Sequence, residues 1–219
     1  MLVAMPTCAL SQVQQTCSSE INLLPKYGPV PKCQALLDGD AQYILEEEKI
    51  YGGDRRKASE AASSLGWQYF MSGNLDTAMR RFNQAWLLDK KNGNALWGMA
   101  AVQSNKEKHR DALNLFAEAN VILADNLRFQ LDYARSLGIA GTMLPDKDLT
   151  DLALVRFESI HRAHPDSAIN LENWAMVLYH LERHAEALEK IRMAQKTPGA
   201  KGLSPTFIEE LQKKLEGKK

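Results

Sequence analysis

The stretch from residue 62 to residue 85, ASSLGWQYFMSGNLDTAMRRFNQA, decides how this chain folds. Its Ala78, Phe82 and Ala85 recur as Ala112, Phe116 and Ala119, each displaced by 34 positions. A fixed period of this size marks an array in which each unit stacks on the next, because one unit alone cannot bury its apolar face. Two further sets continue the series, Ala153, Phe157 and Ile160, then Ala187, Ile191 and Ala194. Each unit reads as two antiparallel helices. Small residues at Gly66, Ala100, Ala134 and Ala175 let one helix of a pair approach the other closely, and Ala78, Ala112, Ala153 and Ala187 do the same from the second helix. Phe82, Phe116, Phe157 and Ile191 are expected to fill the space between successive units. The Ala153 set arrives 41 positions after the Ala112 set instead of 34, which predicts a seven-residue insertion in the loop around Gly141 to Asp146.

The pattern Ala62-x-x-Leu65-Gly66-x-x-Tyr69, followed by Gly73, Ala78, Phe82 and Ala85, resembles the tetratricopeptide repeat (TPR), with Ala62 where that family usually has tryptophan. The resemblance implies an all-α fold, a right-handed superhelical solenoid of antiparallel helix pairs with about four TPR units, at 59–92, 93–126, 127–167 (with the insertion) and 168–201. After it, Ser204-Pro205 with Phe207, Ile208, Leu211 and Leu215 reads as an N-capped amphipathic helix covering the last unit, within a capping helix and tail at 202–219. Before it, 34–58 reads as a helix and linker that ends at Gly52-Gly53, with Asp54 capping the next helix. Residues 1–33 are expected to be mobile or extended, since 11–19 are polar and the run from Leu23 to Pro31 carries three prolines and a glycine.

In TPR proteins the first helix of each pair lines a concave groove, so the resemblance implies a scaffold that binds a protein or peptide segment there. Mapped by position, the groove residues are Trp67, Phe70 and Met71, then Trp97 and Ala101, then Arg128, Asp132 and Arg135, then Asn173 and Tyr179. Trp67, Phe70 and Trp97 form an aromatic end, and Arg128, Asp132 and Arg135 begin a mixed-charge end. Tryptophan and arginine are frequent binding anchors because large rigid or planar groups are desolvated at low entropic cost. The three charged residues also suit pairing among themselves along one helix. Ser63, Trp67 and Gly98 stand where chaperone-binding members carry Lys and Asn, so a carboxylate clamp is not supported. A second reading has the N-terminal segment occupying its own or a neighbour's groove, in a self-assembling protein such as a homodimer.

The 219 residues carry 27 Lys+Arg against 27 Asp+Glu, a formal net charge of zero. That balance argues against a nucleic-acid partner, which many unpaired basic residues would capture. No apolar run approaches the length of a membrane span. Cys8, Cys17 and Cys33 fit no zinc spacing, and permit either one disulfide with one thiol left over or three thiols. Met1 to Met5 could end an export signal, and residues 66–70 with 81–89 resemble exported bacterial TPR proteins, so a periplasmic or secreted location is favoured over the cytoplasm. His180 and His184 stand four apart, but a turn is expected between them, which makes surface histidines the better reading than a metal site. With no phosphate-loop, dinucleotide, zincin or nucleophile-elbow motif, no enzyme activity, catalytic residue, metal or cofactor is expected.

Overall fold

A computed structural model describes residues 15–216 of the chain. The export-signal reading of Met1 to Met5, Cys8, and the terminal Lys218 and Lys219 lie outside the described residues. Ten α-helices occur among the described residues, and the chain divides into two compact units, Met1–Asn92 and Gly93–Lys219.

In the first unit α1 (Gln34–Ile50), α2 (Arg55–Met71) and α3 (Leu75–Leu88) follow two short 3-10 turns, Ser19–Leu23 and Pro25–Tyr27. Local chemistry sets the helix starts. The Asp54 side chain accepts from the Lys57 amide at 3.0 Å, and the Asn74 side chain accepts from the Thr77 amide at 3.1 Å, each satisfying one of the free donors of a first turn. Between them Gly73 turns the chain with φ 79°, a conformation that costs glycine nothing. The α2/α3 pair packs through Ala58, Ala62, Gly66, Ala78, Phe82 and Ala85, all buried. At Gly66 the approach is closest: a Cβ there would stand 2.6–3.0 Å from three ring carbons of Phe82.

Residues 16–33 are tied down where the sequence predicts a mobile or extended segment. Cys17 and Cys33 form a disulfide, and beside it the Thr16 amide donates to the Pro31 carbonyl at 2.9 Å while the Cys33 amide donates to the Thr16 carbonyl at 2.8 Å. The closed strap lies on α3. Ile21 and Tyr27 are buried, and Asn83 on α3 donates to the carbonyls of Asn22 and Leu24 at 2.9 and 2.8 Å. Lys32 covers the Tyr27 ring at 3.2 Å and pairs with Asp40 of α1. α1 packs along α2, but none of its residues is fully buried, and Leu37, Leu45 and Ile50 are exposed.

The second unit holds the pairs α4/α5 (Gly93–Asn105, His109–Leu123), α6/α7 (Leu127–Met143, Lys147–Ala163) and α8/α9 (Ala168–His180, His184–Ala194), then α10 (Pro205–Glu216). Asn126, Asp146 and Ser167 cap α6, α7 and α8 through their side chains. Ala100, Ala112, Ala134, Ala153, Ala175 and Ala187 are buried where paired helices meet, and Phe116, Phe157 and Ile191 lie fully inside. Phe116 stacks on Tyr133 of the next pair at 5.3 Å, and Phe157 stacks on Trp174 of the one after at 6.4 Å. Each such phenylalanine stabilises the stack by about 1.5–3 kcal/mol through burial alone. α10 closes the end: Leu211 is fully buried against Ala175, Leu178 and Ile191, with Phe207, Ile208 and Leu215 beside it, while Lys213 and Lys214 face water.

The seven extra residues do not form a loop insertion. α6 begins 20 residues before α7, against 16 for α4 and α5, and α7 begins 21 residues before α8, against 18 for α5 and α6. About one turn is therefore added at the C-terminal end of α6 and slightly less at the N-terminal end of α7. Lengthening both arms keeps the added backbone amides hydrogen-bonded within helices, which a loop would not do. Gly141 thus sits inside α6, and only 144–146 connect the two helices.

Candidate functional site

α6 is the first helix of the α6/α7 pair. Its cap at Asn126 fixes the register, and Arg128, Arg135, Ile139 and Met143 then fall on one exposed stripe, the last two being 39% and 62% exposed. Asp132 sits within that stripe, half-buried. The Trp97 indole N–H of α4 donates to Asp132 Oδ2 at 3.1 Å, and the Trp97 ring meets Phe129 edge-on at 5.8 Å. Burial raises the Asp132 pKa above the ordinary carboxylate value, while the Trp97 hydrogen bond and the charges of Arg135 and Arg128 pull it back down. Trp97 and Asp132 thus form a braced floor between α4 and α6, with two arginines beside it.

α8 contributes differently from its expected role. Asn173 is 7% exposed, and Ala101 on α4 is likewise buried, so both shape the face while presenting little side-chain surface. The Tyr179 hydroxyl donates to Glu210 of α10 at 2.5 Å, and its ring meets Phe207 and His184 edge-on at 5.7 and 5.1 Å. It latches the capping helix. Glu172, also buried, accepts from the Ser204 amide at the start of α10 at 2.6 Å. Ile169, at the start of α8, is exposed.

In the first unit Trp67 and Phe70 are half-buried and meet edge-on at 5.4 Å. Trp67 also meets Phe82 of α3 at 5.3 Å, so much of its indole belongs to the pair's own core. Met71, at the end of α2, is 81% exposed. The N-terminal strap is held from α3 by Asn83 and from α1 by Asp40.

His180 ends α8 and His184 begins α9, with the turn at 181–183 between them. The expectation of two surface histidines holds for His180 alone: His184 is buried beside Tyr179, where the latch of α10 covers it. Among the described residues no cluster of His, Cys, Asp or Glu has the geometry to hold a metal ion, and no helix is long and apolar enough to cross a membrane.

No family model matches the sequence, and no curated protein matches it. Solved structures do. TTC0263, a thermophilic TPR protein of Thermus thermophilus, is 17% identical, with 64% of this chain and 74% of that one covered at a TM-score of 0.56. This chain has the tetratricopeptide-repeat fold. The MamA protein superposes on this chain with 14% identity, 77% and 94% coverage and a TM-score of 0.53. MamA from residue 41 to its end, from Desulfovibrio magneticus RS-1, does so with 15% identity, 65% and 75% coverage and a TM-score of 0.52.

Sequence reasoning placed Arg128, Asp132 and Arg135 correctly on one helix but missed Ile139 and Met143, which continue their stripe. For Met143 the signal lay in the seven-residue excess: read as lengthened helices instead of a loop, it extends α6 by a turn and carries the spacing onward from Ile139.

Proposed function

We propose that this TPR chain is a non-enzymatic scaffold that binds a peptide or protein segment in a concave groove built by the first helices of its repeats. The observation that carries the reading is the α6 stripe, in which Arg128 and Arg135 flank the Trp97–Asp132 floor and Ile139 and Met143 stay exposed. Fixed aromatic and charged groups beside uncovered apolar side chains suit a partner with an acidic residue followed by an apolar one. Within the first unit, Trp67, Phe70 and Met71 form an apolar anchor of their own. The Cys17–Cys33 disulfide supports an exported location, since such bonds persist in oxidising compartments.

The test is capture of partners from the source cell, followed by mass spectrometry, with two variants as controls. Arg135→Glu combined with Met143→Asp should abolish capture while far-ultraviolet circular dichroism stays unchanged; Trp67→Ala with Trp97→Ala should weaken it. Equal capture by both would overturn the groove assignment. One observation favours self-association instead: α1 has no fully buried residue and exposes Leu37, Leu45 and Ile50. Light scattering of the wild type against Leu45→Glu separates the two, because only self-association through α1 predicts a change in mass.

A further inference from the structure

On the side of α6 turned towards α5 and α7, a cavity of about 310 Å³ opens between the α5–α6 connection and the second half of α7. Its wall includes Asp125, Leu127, Arg156, Ser159, Ile160 and His164. Arg156 is held as a platform. Its guanidinium lies 4.1 Å over the Tyr133 ring, which itself stacks on Phe116, and its Nη1 donates to Gln130 Oε1 at 3.0 Å. Gln130 is fixed in turn, since its amide donates to Asn120 Oδ1 and to the Ala124 carbonyl, both at 2.9 Å. The plane and position of the guanidinium are therefore set before any ligand arrives, which lowers the entropic cost of binding.

What the platform lacks is an anion. Among the described residues no carboxylate pairs with Arg156, and of its five N–H donors only one is bonded to any of them, at Gln130. The Nε–H is buried without a partner, so part of the group's hydration has already been given up. A half-buried, oriented and unpaired arginine on a cavity wall is arranged for a carboxylate or another oxyanion. The volume suits an amino-acid-sized group. Leu127 and Ile160 provide apolar wall, Ser159 a hydroxyl, and Asp125 an acceptor for a donor on the same ligand.

We propose that this cavity binds a carboxylate carried beside an amide N–H, the chemistry shared by an acidic residue within a peptide and by a free N-acylated acidic amino acid. Arg156 takes the carboxylate and Asp125 accepts from the N–H. The site uses a different side of α6 from the proposed groove, and its test does not depend on that groove.

The experiment follows the Gln130 side-chain amide and the Leu127 backbone amide by nuclear magnetic resonance in the full ¹⁵N-labelled chain. Three probes are titrated: N-acetyl-L-glutamate, the blocked tripeptide N-acetyl-Ala-Glu-Ala-amide, and that tripeptide with Gln for Glu. Saturating shifts with the carboxylate probes, and at least tenfold weaker response to the Gln tripeptide, are expected. Tighter binding of the tripeptide assigns the site to a partner's acidic residue; tighter binding of N-acetylglutamate assigns it to a small molecule. Arg156→Met should weaken the response at least tenfold. Should that variant unfold, Arg156→Lys, which keeps the cation but not the fork, must still weaken it. Equal response to Glu and Gln tripeptides, no saturation by either carboxylate probe, or an unchanged response in a folded Arg156 variant overturns the proposal.

Discussion

Replacing Gly66 by alanine should destabilise the first unit, although alanine is the better helix former and stands at the corresponding positions Ala100, Ala134 and Ala175. The reason is the Phe82 ring. A Cβ at residue 66 would lie 2.6, 2.7 and 3.0 Å from three of its carbons, where ordinary contact begins near 3.4 Å. The ring is fully buried and lies 5.3 Å from Trp67, so it must shift against packed neighbours. Overpacking of this kind costs about 1–3 kcal/mol. Against it stands the propensity gain of alanine over glycine, about 1 kcal/mol within a helix. The net expectation is a loss of up to about 2 kcal/mol.

Gly39 isolates the steric part. It lies in α1 with nothing within 4 Å of its would-be Cβ, so Gly39→Ala keeps the propensity gain and adds no clash. The propensity contributions cancel between the two variants, leaving a difference of about 1–3 kcal/mol that belongs to Phe82. Urea unfolding followed by tryptophan fluorescence and by far-ultraviolet circular dichroism measures it, both probes being needed because stacked repeats need not unfold in one step. Phe82→Leu should recover part of the loss in the Gly66→Ala background, although it is destabilising alone. Gly66→Ala as stable as Gly39→Ala would refute the close approach, and with it the packing of α2 on α3.

The turn position occupied by Gly73 is held in the next and last pairs by Glu107 and Glu182, at φ 58° and 59°; replacing either by glycine should stabilise by about 0.5–1 kcal/mol, read as a rise in urea midpoint, because relief of the left-handed backbone exceeds the added freedom of the unfolded chain. Removing the disulfide by Cys17→Ser with Cys33→Ser should cost about 3 kcal/mol in the first unit, and thiol labelling of the unfolded, unreduced wild type should leave Cys17 and Cys33 unmodified. Asp132 has a folded-state pKa raised by burial, so the folded form binds more protons than the unfolded form and stability from this group falls as pH rises through the window above its ordinary value of 3.8. Asp132→Asn, which still accepts from Trp97, should therefore match wild type in acid and gain on it towards neutral pH in unfolding measurements; a gain that shrinks with rising pH would reverse the assignment.

The array was legible in the sequence because its contacts are local and repeated. Ala78, Ala112, Ala153 and Ala187 are all buried in the second helix of their pairs, so a recurring spacing, interrupted once, reports them. What escaped was whatever depends on an end or an irregularity. The strap rests on Asn83 reaching carbonyls about 60 positions away, and an asparagine inside a helix carries no mark of that task. Tyr179 occupies a groove position by register, yet at the last pair the register meets α10 instead of another repeat, and its hydroxyl goes to Glu210. Arg156 is the clearest case: in sequence it is one charged residue on an exposed helix, and only the stacking of Phe116 on Tyr133 turns it into a fixed cation at a cavity wall. Repetition thus sets the scaffold, and departures from repetition are where this chain's individual chemistry is found. The lengthened α6/α7 hairpin follows the same rule, since the turn it adds, 140–143, carries the exposed stripe on to Met143, beyond the 13 positions that α6 shares with α4.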